Sequence, residues 1–128
     1  MHRGQRKHFS LTDRMKSFRF ALRGIYLIVR NQHNFRIHLV AFFAILILGI
    51  LTRITNWEWC VIILTCALVL SLEAINTALE YLVDLVSPEF EKKAGEIKDI
   101  AAGAVLISAI AAVIVGILIF LPRLLLLS

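Results

Sequence analysis

The stretch EAINTALEYLVD, Glu73 to Asp84, sets three carboxylates and an asparagine among mainly apolar residues. The run before it, Trp59 to Leu72, carries no charge. On a helix, Asn76, Glu80 and Asp84 fall at about −60°, −20° and +20° from Glu73, so all four share one face. Like charges on one face repel, and Glu73 stands nearest the apolar run. Ionisable groups at membrane depth are costly, so they point to a functional site. A desolvated carboxylate is a stronger base and suits proton removal from a lipid hydroxyl. A carboxylate one or two turns on, in water, suits Mg²⁺, a hard cation that bridges to substrate phosphates. Lys98 and Asp99 add a cation for phosphate oxygens and another acid. Base, metal and phosphate clamp in that order are what phosphoryl transfer from a nucleotide to a lipid alcohol needs, since that chemistry is mainly positioning and charge neutralisation. The structural alternatives are ion pairs to the basic N-terminal segment, or a plain polar helix end. Gly95 and Gly103 are isolated, so there is no glycine-rich phosphate loop, and no Ser-His-Asp spacing is present.

The elements that must hold these groups are apolar helices. Of the 128 residues, 59% are hydrophobic and the mean hydropathy is +0.82, above the usual 45–50% apolar share of soluble domains. The excess lies in Leu39–Thr52, Trp59–Leu72 and Ile100–Leu121. The third is 22 residues without a charge, about 33 Å of helix, enough to cross a hydrocarbon core of about 30 Å. The first two lengthen through their flanks. The expectation is an all-α integral membrane protein of one domain, 1–128, with spanning helices over about 34–53, 57–86 and 95–122. An amphipathic interfacial helix over about 10–30 precedes them. Its stripe is Leu11, Met15, Phe18, Leu22, Ile25 and Val29, spaced 4, 3, 4, 3, 4. Ser10 or Thr12 is placed to cap it. Asn31–Asn34 breaks the stripe, Thr55–Asn56 turns the chain, and Ser87–Pro88 stops the second spanning helix. Small residues along the third, such as Gly103, Ser108 and Gly116, allow close helix packing.

Residues 1–36 hold nine Lys/Arg, including Arg3, Arg6 and Lys7, against one acid, Asp13. Basic segments stay inside. This places the N-terminus and the 83–99 connection in the cytoplasm, with Trp57 and Trp59 at the outer interface. From Trp57 to Glu73 is then about 24 Å, which sets Glu73 at the inner edge of the hydrocarbon. The net charge of +5 reads as attraction to anionic lipid rather than to nucleic acid. No cleavable signal peptide is visible in the basic first 36 residues. Cys60 and Cys66 read as packing residues.

E-x-x-N-T-A-x-E-x-x-x-D at Glu73–Asp84, K-D-x-A-A-G-A-V-L at Lys98–Leu106 and N-F-R-I-H at Asn34–His38 resemble the prokaryotic diacylglycerol kinase family, which includes the undecaprenol kinases. The resemblance runs from about residue 14 to about residue 121. It implies a homotrimer with active sites shared between subunits, using Mg-ATP to phosphorylate a membrane lipid alcohol. Undecaprenol is the first choice of substrate and diacylglycerol the second. By motif, Glu73 is the general base and, with Asn76, meets the lipid hydroxyl. Glu80 is a metal ligand and an ATP contact. Lys98, Asp99, Glu89, Glu91 and, on the surface helix, Arg14 fall at ATP contacts. Where family members commonly carry a second metal-binding Glu, this chain has Gln32, which keeps an oxygen donor without its charge. That departure implies weaker Mg²⁺ binding. Two other classes compete: a non-enzymatic membrane scaffold, which leaves the acid face unexplained, and an ion or proton carrier. Against the carrier, Trp59–Leu72 offers a relay only Thr65, Cys66 and Ser71.

Overall fold

The computed structural model describes residues 8–128, so Arg3, Arg6 and Lys7 lie outside it. The described residues form four helices and no strand: α1 Leu11–Asn31, α2 His33–Leu51, α3 Asn56–Val86 and α4 Lys92–Leu126. α1 belongs to one compact unit that ends at Asn31, and residues 32–128 form a second.

α1 starts where Ser10 Oγ accepts a hydrogen bond from the Asp13 backbone N–H at 3.4 Å, so Ser10 rather than Thr12 is the cap. Its stripe residues Leu11, Met15, Phe18, Leu22 and Ile25 are all exposed. A continuous apolar stripe left open beside a basic face is what the membrane interface accepts. The helix ends at Asn31, Gln32 takes extended backbone, and α2 begins at His33.

α2, α3 and α4 are each long and apolar enough to cross a membrane. They leave most of their Leu, Ile and Val side chains uncovered. Water does not tolerate so much contiguous apolar surface, whereas hydrocarbon does, and helices satisfy their own backbone groups there. The chain is a membrane protein. α3 and α4 run antiparallel in close contact, and α2 packs on α3 less extensively.

The best-packed region is the end where α2 turns into α3. Ile54, Ile62, Ile119 and Phe120 are buried together, with Ile45, Leu48 and Trp59 against them. The turn is a Schellman motif: Arg53 N–H donates to Ile50 O at 3.3 Å and Ile54 N–H to Gly49 O at 3.2 Å. Arg53 takes φ 51°, the left-handed conformation that usually selects glycine. Thr55 then caps α3 in a capping box with Glu58. Glu58 also receives Arg123 of α4 through two hydrogen bonds, of 2.8 and 2.6 Å. This clasp ties the start of α3 to the end of α4.

α4 begins three residues before the expected start and continues past Pro122 to Leu126. Proline removes one backbone N–H, but in a membrane helix neighbouring groups compensate for such a loss. The carbonyl that Pro122 leaves without its donor is that of Leu118, while Arg123 Nη1 donates to the next one, Ile119 O, at 2.9 Å and its fork holds Glu58.

Candidate functional site

The face predicted for α3 exists. Glu73 is 3% exposed, Asn76 7% and Thr77 5%, and they are the buried polar residues of that helix. Glu80 is half-buried one turn on, and Asp84 is exposed. The gradient follows helix geometry: steps of three and four residues keep one face towards the bundle while the helix climbs out of it. Asn76 Nδ2 donates to Glu80 Oε1 at 3.1 Å. That bond fixes which end of the amide is which, so Asn76 Oδ1 points the other way. Oδ1 is buried and accepts no hydrogen bond. A buried acceptor without a donor is rare, because its lost hydration is uncompensated. It fits a site that receives a hydroxyl or an N–H from a bound molecule.

Glu80 lies two turns on from Glu73 along the same helix, and His38 lines an apolar cleft between α2 and α4. The motif N-F-R-I-H contains His38, but the sequence assigned that residue no role beyond its place in the motif. Thr77 was likewise only a letter in the motif. Its burial between Glu73 and Glu80 places it in the same site. The signal available for both was their presence inside a quoted motif. The signal missing was which helix faces which.

Gln32 is brought to α3 by Tyr81, whose hydroxyl accepts from Gln32 Nε2 at 3.1 Å. The amide oxygen of Gln32 is thereby left as the free end. Lys98 pairs with Asp84 across the α3–α4 connection. Asp84 thus finds its partner on α4. The pair is largely solvent-exposed, and such pairs contribute about 0–1 kcal/mol. Asp99, Glu89 and Glu91 are exposed near the same end. Glu89 O accepts from Ser87 Oγ at 3.3 Å, and Glu91 is the residue preceding α4, with no side-chain cap. Arg14 lies on α1, in the other unit, with its guanidinium over the Phe9 ring.

Among the described residues no three His, Cys, Asp or Glu side chains gather as a metal site. Mg²⁺ does not require such a cage. It takes one or two protein oxygens and completes its shell with water and phosphate. Glu80 Oε2, not engaged by Asn76, and the free oxygen of Gln32 are donors of that hard type, so the residues present fit the ion. Cys60 and Cys66 are free thiols.

Spanning helices that carry a buried carboxylate, an unpaired amide oxygen and a half-buried lysine near one end bring together groups that an integral-membrane enzyme acting on a lipid would use. The comparisons carry this further. Residues 19–120 match the prokaryotic diacylglycerol kinase family. The chain is 42% identical over 123 residues to the undecaprenol kinase of Bacillus subtilis (strain 168), covering 96% of each protein. It is 46% identical over 110 residues to a diacylglycerol kinase of Synechocystis sp., covering 85% of this chain and 63% of that one. A diacylglycerol kinase of Sinorhizobium sp. is 36% identical over 76 residues, 59% of this chain and 56% of that protein. The chain belongs to the prokaryotic diacylglycerol kinase family and is a lipid kinase. Membership of a kinase family implies the use of ATP.

Proposed function

We propose that the protein transfers the γ-phosphate of ATP to the hydroxyl of undecaprenol, giving undecaprenyl phosphate and ADP. The observation that carries the site is the α3 face, where Glu73 is 3% exposed beside the orphaned acceptor of Asn76. The similarity over 96% of both chains to an undecaprenol kinase supports the choice of alcohol.

Glu73 takes the proton of the lipid hydroxyl as its oxygen bonds to the γ-phosphorus. The bond from that phosphorus to the β,γ-bridging oxygen breaks, and ADP leaves. Asn76 Oδ1 accepts from the hydroxyl before transfer and so aims its oxygen. Lys98 turns from Asp84 to the phosphates, with Asp99, Glu89, Glu91 and Arg14 as further nucleotide contacts. Glu80 and Gln32 hold Mg²⁺, which when bound neutralises the phosphate charge. The protein works in the inner membrane with its N-terminus in the cytoplasm. It works as a homotrimer, the assembly that its family resemblance implies, in which Glu80 and Asp84, half-buried and exposed in the single chain, are open to a neighbouring subunit.

The test is transfer of labelled phosphate from Mg-ATP to solvent-extractable lipid in mixed micelles, with undecaprenol and diacylglycerol offered separately. The expected result is labelled undecaprenyl phosphate, falling about 10²–10⁴-fold in Glu73→Gln, as for loss of a general base. Label entering diacylglycerol alone would move the protein to the activity named for its Synechocystis relative. Unchanged transfer by Glu73→Gln would remove the base from the mechanism.

A further inference from the structure

Gln32 is the N-cap of α2, with extended backbone at φ −114° and ψ 114°. Its carbonyl accepts from the Arg36 backbone N–H at 3.3 Å, so the helix start fixes its main chain. Its side chain does not cap the helix. Asparagine and serine suit that position, whereas glutamine is a carbon longer than asparagine, and its amide reaches α3 instead. There Nε2 donates to the Tyr81 hydroxyl at 3.1 Å. Tyr81 is the residue that follows Glu80.

The two oxygen donors assigned to Mg²⁺ are thus held alike. Asn76 Nδ2 holds Glu80 Oε1 and leaves Oε2 free. Tyr81 holds Gln32 Nε2 and leaves Oε1 free. For Glu80 the choice of end is immaterial, because both carboxylate oxygens share the charge. For Gln32 it decides the sign of the interaction. The terminal torsion of a glutamine is broad and roughly two-fold, so an unheld amide offers either end. Its oxygen attracts a hard cation, whereas its NH₂ carries only donors and repels one. Without a formal charge, the amide dipole is all that residue 32 offers a cation, and one orientation alone is favourable. A tyrosine hydroxyl has the lone pairs to take the NH₂ and so to select that orientation.

We propose that Tyr81 is a positioning residue for the metal: its hydroxyl fixes the Gln32 amide end for end, so that the oxygen serves the ion and the site works with a neutral residue at position 32. The proposal rests on the reading of Glu80 and Gln32 as Mg²⁺ donors and adds what makes the neutral donor usable. It differs from a simple tie between α2 and α3. A tie is indifferent to the chemistry of the tied end. An orienting contact matters for an amide and not for a carboxylate, whose two ends are the same.

Mn²⁺ prefers the same oxygen donors and reads the site without phosphoryl transfer. It is titrated into the protein in mixed micelles with a non-hydrolysable ATP analogue. Protein-bound ion is read by electron paramagnetic resonance against a protein-free blank, with Glu80→Ala as the background from other sites. Tyr81→Phe is expected to weaken Mn²⁺ binding about tenfold, the lower end of the range for partners that orient metal ligands, since this contact is exposed. In Gln32→Glu protein the same substitution should change the affinity by less than about twofold, because either carboxylate oxygen serves. An equal loss in both backgrounds would make Tyr81 a tie between helices and overturn the proposal. So would parent-like binding by Tyr81→Phe alongside a loss in Glu80→Ala, a result that leaves the metal reading standing. Binding undiminished in Glu80→Ala would overturn the metal reading of the site, and the proposal with it.

Discussion

Replacing Asn76 with leucine should separate folding from turnover. The substitution removes two things. One is the donor to Glu80 at 3.1 Å, a hydrogen bond to a charged group, for which about 1.5–3 kcal/mol is typical. The other is the buried Oδ1 acceptor, whose unsatisfied burial costs about 1–3 kcal/mol. The first loss destabilises and the second removal stabilises, and leucine keeps the volume. The net change in unfolding free energy should therefore stay within about 1 kcal/mol of zero. Turnover has no such compensation. The oxygen that aims the lipid hydroxyl is gone, and misplacing a reacting group costs on the order of 10²-fold. Reversible unfolding in mixed micelles and labelled-phosphate transfer would be measured on the same preparation. A loss of more than about 3 kcal/mol would make Asn76 a structural polar contact and refute the reasoning. So would kcat/KM within a few fold of the parent.

Gly49→Ala should destabilise although alanine is the better helix former. Its Cβ would stand 2.7 Å from the Trp59 ring and 3.1 Å from Ile54 Cδ1. Overpacking costs about 1–3 kcal/mol, against a propensity gain of up to about 1 kcal/mol. Gly116→Ala, with open space around it, should show the gain alone, and unfolding of the two variants side by side checks the difference. Gln32→Glu should lower the Mg²⁺ concentration for half-maximal activity by about tenfold, the discounted worth of one more charge near the ion, and a titration at fixed ATP reads it. Arg123→Gln and Glu58→Ala should each lower the thermal midpoint, Glu58→Ala more because it also breaks the capping box with Thr55, and the double variant should fall little below Glu58→Ala. Lys98→Met should raise KM for ATP while leaving the midpoint within a degree or two, since its pair with Asp84 is exposed.

The sequence by itself determined the elements and the order of the acids. A helix has a fixed period, so Glu73, Asn76 and Glu80 had to share a face wherever the helix went, and long uncharged runs had to be spans. The boundaries of α3 and the stripe of α1 were legible for the same local reason. The start of α4 was read three residues late, because Lys92 and Lys93 look like loop while their backbone is already helical. The rest depends on which faces meet. That Asp84 takes Lys98, that Arg123 reaches Glu58, and that Gln32 reaches Tyr81 follow from contacts between residues distant in the chain. So does the apolar cleft between α2 and α4 that His38 lines. Apolar spans of Leu, Ile and Val carry almost no record of their partners, because lipid and protein solvate them about equally well. Small differences in shape, such as Gly49 under Trp59 and Gly116 beside nothing, decide the packing, and those are visible only once the helices are side by side.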